Sequence, residues 1–78
     1  MDYREITIGS ILHCTEKYDY KYETDDEIID IEKSIFLVLE IKHDIFKLMN
    51  LENNEIDYYY AYMFKNSQYI KWKLIKKG

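Results

Sequence analysis

Proline is absent from the 78 residues, glycine occurs twice and cysteine once. Without proline, no turn is preset by a locked φ and no strand is demoted to an edge by a missing donor. The single cysteine, Cys14, excludes an intramolecular disulfide and fits a reducing compartment. Long hydrophobic runs are missing too. The longest free of tyrosine, Ile35 to Leu39, is far short of the ~20 apolar residues that a membrane-crossing helix needs. The amino-terminal residues 1–7 carry Asp2, Arg4 and Glu5 and lack the apolar stretch of a secretory signal. These absences lead to the expectation of a cytoplasmic protein with no membrane partner.

Alanine and arginine occur once each, against twelve Ile, ten Lys and nine Tyr. Such usage suggests an AT-rich coding sequence and points to a host bacterial cell of low GC content, or to its phages and mobile elements. A chain of this length is expected to form one domain and to bury only ~60% of the surface its unfolded form exposes. With 47% hydrophobic and 17% aromatic residues, bulky Ile, Tyr, Phe and Trp side chains must build that small core.

The formal net charge of -4 is unevenly distributed. Residues 16–32 hold eight acids against Lys17 and Lys21, a local charge of -6. Residues 65–78 hold five lysines and no acid. If the two segments lie apart, the acidic end can steer toward a basic partner. The tyrosines cluster as well: Tyr18, Tyr20 and Tyr22 among the acids, then Tyr58, Tyr59, Tyr60 and Tyr62. Tyrosine supplies large amphipathic contact area at low entropic cost, and it is equally a strand residue.

The apolar pattern predicts a mainly β fold. A first strand is expected over 5–14, with a bend or bulge at Gly9-Ser10 where the register of Ile6, Ile8 and Ile11 or Leu12 changes. Residues 15–34 then form a long polar excursion or an irregular hairpin. Thr24 before Asp25, Asp26 and Glu27 resembles a capping box and allows a short helix near 25–32. Residues 35–41 and 45–51 read as a hairpin around Lys42, His43 and Asp44. Ile31, Ile35, Val38, Ile41, Ile45 and Leu48 also recur at helical spacing, but short bounded β-branched runs favour strands. After a turn at 52–55, residues 56–64 set Tyr58, Tyr60 and Tyr62 on one face and Tyr59 and Ala61 on the other. After a further turn at 65–68, Ile70, Trp72 and Leu74 alternate with Lys71 and Lys73 in a closing strand.

Five short strands with a long acidic excursion after the first resemble SH3-like barrels in the order and length of their elements. The resemblance implies a small, strongly bent sheet or barrel spanning residues 1–78.

Chemistry-bearing constellations are sparse. His13, Cys14 and His43 have no recognised metal-ligand spacing, and adjacent His13 and Cys14 would point to opposite faces of a strand. There is no phosphate-cradling glycine loop. Neither metal nor cofactor is expected, and the protein is not expected to be an enzyme. Lys71, Lys73, Lys76 and Lys77 around Trp72 are the one feature favouring nucleic acid, but the acidic total and the lone Arg4 make direct binding the weaker reading.

The expectation is therefore a non-catalytic protein-binding module that inhibits a host nucleic-acid-handling protein, in the manner of an anti-CRISPR or another anti-defence inhibitor. Carboxylates along an extended segment imitate phosphates toward a basic surface, and tyrosines add desolvated anchors. The candidate contact residues are Tyr18, Asp19, Tyr20, Tyr22, Glu23, Asp25, Asp26 and Glu27. The alternative is an SH3-like adaptor or structural subunit whose tyrosines at 58–62 bind a peptide or a second copy of the chain as a homodimer.

Overall fold

A computed structural model describes the backbone of residues 1–21 and 27–78, and the side chains of residues 1–18 and 31–78. Five antiparallel strands form one sheet: β1 (Ile11–Lys21), β2 (Glu27–Lys42), β3 (Ile45–Asn50), β4 (Ile56–Tyr60) and β5 (Ile70–Lys76). Their spatial order is β4-β3-β2-β1-β5, so the last strand returns to pair with the first. Short 3-10 turns at Tyr3–Glu5 and Ala61–Phe64 are the only helical elements among the described residues.

The polar stretch 15–34 takes the hairpin form. Every pair from Ile11↔Leu37 to Lys21↔Glu27 keeps one continuous register. The helix allowed near 25–32 is thus replaced by strand over 27–32, while residues 25 and 26 lie outside the described residues. Cross-strand pairing with β1 satisfies alternate backbone groups that a helix would have paired locally. The first strand also starts later than expected, at Ile11. Gly9 takes φ 87°, and Ser10 N donates to Thr7 O in a turn that precedes the strand. Residues 56–64 likewise divide into a strand and a 3-10 turn after Tyr60.

Period-two alternation places one face of the sheet inside. Leu12 and Cys14 of β1, Phe36 and Val38 of β2, Phe46 and Leu48 of β3 and Trp72 of β5 are buried, joined by Ile6 and Phe64. An irregularity between Val38 and Glu40 gives β2 one extra residue opposite β3. That bulge lets Val38 and Ile41 both reach the core despite their odd spacing. Of the helical-looking recurrence only the Val38–Ile41 step has this origin; Ile31, Ile35 and Ile45 are exposed.

Phe64 closes the side of the sheet between the two edge strands. It is fully buried and meets Phe46 and Trp72 edge-on, with ring centroids 5.0 and 4.9 Å away. The β2–β3 turn contains no glycine because His43 itself adopts φ 58°, a region that histidine enters more readily than most residues. In the β3–β4 turn the Asn50 and Asn53 side chains accept from Glu52 N and Glu55 N at 2.8 and 2.9 Å.

Candidate protein-binding surfaces

β5 pairs with β1 only as far as Glu16↔Ile70, and β3 pairs with β2 only as far as Phe36↔Asn50. Leu51 N still donates to Ile35 O and Lys17 N to Tyr69 O, at 2.9 and 2.7 Å, and past these bonds β1 and β2 run on together from Tyr18↔Asp30 to Lys21↔Glu27. The result is a two-stranded ribbon with no third strand on either side among the described residues. It lengthens a molecule that measures 47 × 24 × 19 Å.

This ribbon carries much of the acidic segment. Tyr18 is exposed and its hydroxyl donates to the Glu16 carboxylate, two residues away on the same strand. Ile31 is 54% exposed. Asp19, Tyr20 and Glu27 occupy register positions opposite Ile29, Ile28 and Lys21, and only their backbone is described. Tyr22, Glu23, Asp25 and Asp26 lie outside the described residues. Of the eight candidate residues, four therefore fall on the paired ribbon.

A second surface lies on the outer face of β2, β3 and β4. Glu40, Lys42, Ile45, Lys47, Tyr58 and Tyr60 line an open concavity of about 440 Å³. Tyr60 and Tyr62 stack beside it, with centroids 5.9 Å apart and an interplanar angle of 12°. Tyr58 and Tyr62 are 62% and 74% exposed, whereas Tyr59 packs against the core, its ring 5.8 Å from Phe36 and 5.6 Å from Trp72. The strand produces the expected division for Tyr58, Tyr59 and Tyr60, whereas Ala61 and Tyr62 belong to the 3-10 turn. Sequence reasoning did not single out Ile45 and Lys47, whose only signal is their register opposite Tyr60 and Tyr58.

A third region, of about 300 Å³, is lined by Thr15, Lys17, Ile31, Gln68, Tyr69 and Lys71. Register sets Thr15 between Lys33 and Lys71. Lys71 and Lys73 are exposed along β5, a placement that blunts this edge against pairing.

Few groups have perturbed acidity. Burial pushes the Cys14 thiol up to about 11, reinforced by the negative charge of Glu16. Burial likewise raises the Tyr59 phenol, with Asp57 adding to the effect. At the exposed amino-terminal turn, hydrogen bonds from Arg4 lower the Asp2 carboxyl. His13 and Cys14 occupy opposite faces of β1, and His43 sits in the β2–β3 turn. No three His, Cys, Asp or Glu side chains among the described residues converge as a metal site. No helix among them is long and apolar enough to cross a membrane. Comparison with protein-family models, curated proteins and solved structures finds no match to this chain.

Proposed function

We propose that the chain is a non-catalytic protein-binding module that docks its acidic ribbon onto a basic surface of a host protein. The observation that carries this reading is the continuation of β1 and β2 past both neighbouring strands, in the segment whose charge is -6. Such a ribbon presents carboxylates on a preordered backbone, so less conformational freedom is lost on binding than in a free loop. Lysines and arginines that ordinarily hold nucleic-acid phosphates are the complementary surface, which makes an inhibitor of a nucleic-acid-handling defence protein the concrete form of the proposal. The AT-rich residue usage supports a phage or mobile-element origin in a bacterial host.

Tyr18 provides the test. Tyr18→Ala removes an exposed ring whose hydroxyl donates to Glu16. Binding to a partner captured from a bacterial lysate is expected to weaken about tenfold or more, while stability changes by only about 0.5 kcal/mol. A large fall in melting temperature with unchanged binding would assign this ring to the fold and remove it from the contact surface.

A second reading, an SH3-like adaptor that binds a peptide or itself, is favoured by the exposed Tyr58, Tyr60 and Tyr62 beside the 440 Å³ concavity. It uses a different face and does not compete with the ribbon for residues.

A further inference from the structure

The two edges of the sheet are not alike. β5 shows exposed Lys71, Lys73 and Lys76, whereas β4 reads Ile-Asp-Tyr-Tyr-Tyr, with no lysine, proline or bulge to discourage another strand. The hydrogen-bond phase of β4 is fixed at both ends: Asn50 N donates to Glu55 O at 2.8 Å and Ala61 N to Asp44 O at 2.9 Å. With an unbroken register between them, the odd-numbered residues direct their backbone groups at β3. Ile56, Tyr58 and Tyr60 therefore direct theirs outward. Tyr60 N meets the Met63 sulfur at 3.2 Å, away from β3, as this phase requires.

We propose that β4 is a self-association edge, which pairs antiparallel with β4 of a second copy about a two-fold axis at Tyr58. This inference rests on the second reading above and selects a second copy as the occupant. Self-complementarity is the reason. With Tyr58 opposite Tyr58, Ile56 falls opposite Tyr60 and Asp57 opposite Tyr59, so outward-facing backbone groups meet and no like charges oppose. Moving the register by one pair in one direction sets Asp57 against Asp57, and by two pairs sets it against Glu55; both are repulsive. Moving it the other way pushes Ile56 past the strand end, opposite Tyr62 of the 3-10 turn, and shortens the ladder.

The symmetric register forms four backbone hydrogen bonds, from Tyr58 N to Tyr58 O and from Ile56 N to Tyr60 O, each made twice. Two more form when Met63 turns aside from Tyr60 N. On the outer face the exposed Ile56, Tyr58 and Tyr60 of both copies become one apolar row. The edge is only five residues long, so the dimer is weak, with a dissociation constant on the order of 10⁻⁵ to 10⁻³ M. Each copy carries a net charge of -4, so added salt strengthens the pairing. Docking of the acidic ribbon on a basic partner would respond to salt in the opposite sense.

The experiment is sedimentation of the full chain from about 1 µM to about 1 mM, with amide exchange followed by NMR at both ends of that range. The expected result is a mass that rises toward the dimer with concentration and with salt, while the Ile56 and Tyr58 amides become protected only at high concentration. Tyr58→Lys is expected to weaken association about tenfold or more. Ile56→Lys serves as the second variant, and circular dichroism confirms that each remains folded. A monomeric mass up to 1 mM overturns the proposal, as does a dimer that survives both lysine variants or that leaves the Tyr58 amide unprotected. None of these results bears on the ribbon.

Discussion

Phe64 stands edge-on to Trp72, with ring centroids 4.9 Å apart and an interplanar angle of 72°. The contact joins the 3-10 turn after β4 to the closing strand, so the two ends of the sheet are held together through side chains. Phe64→Ala is expected to cost about 3–5 kcal/mol, because a fully buried ring is removed from a small core that has few ways to collapse. Chemical denaturation measures this directly. Trp72→Phe is expected to cost much less than Phe64→Ala, since the buried indole Nε1 has no hydrogen-bond partner among the described residues and its removal relieves a desolvated donor.

Ser10 is fully buried, and its hydroxyl accepts from Thr7 N and Gly78 N, each at 3.1 Å. Thr7 Oγ1 in turn donates to Gly78 O at 2.9 Å. Ser10→Ala strands two backbone donors and is expected to destabilise the fold by about 1–3 kcal/mol. Ser10→Thr, which retains the hydroxyl, should recover part of that loss if the added methyl is accommodated. Equal melting temperatures for wild type and Ser10→Ala would show that the hydroxyl contributes nothing.

Cys14 ties pH to stability. Its thiol is held at about 11 in the fold against an ordinary 9.0. The unfolded chain therefore loses this proton first as pH rises, and folding stability is complete below pH 9 and declines between 9 and 11. The raised Tyr59 phenol acts in the same direction from its ordinary 10.0 upward. Denaturation midpoints across pH 8 to 11 should fall less steeply in Cys14→Ala. The thiol of the folded protein should also resist alkylation at pH 8, where it is protonated and buried.

Strands were easiest to foresee where one face is covered. Ile70, Trp72 and Leu74 alternate with lysines because β5 has one inner and one outer side, and the 35–51 hairpin is bounded by polar turns. Tyr18, Tyr20 and Tyr22 alternate with Asp19 and Lys21 at the period of an extended chain, but that period alone does not separate a paired hairpin from a polar excursion, so the β1–β2 pairing there was not legible. Thr24 to Glu27 signals a helix start locally, yet Glu27 through Glu32 pair across to β1. The bulge at Leu39 puts Val38 and Ile41 on the core side three residues apart, one step of the helical-looking period. Among the tyrosines the division by face was legible from parity, but which face is inside depended on Phe36 and Trp72 meeting Tyr59. The concavity beside Tyr58 was not legible, because Ile45 and Lys47 join it only through strand pairing.

Association of the protein with its captured partner, measured by stopped flow across ionic strength, tests the ribbon most directly when wild type is compared with Asp25→Asn/Asp26→Asn/Glu27→Gln. Charge-steered docking predicts a steep fall of the wild-type association rate with salt, and a slower, flatter dependence for the variant at unchanged stability. Superimposable salt dependences for the two proteins would contradict it.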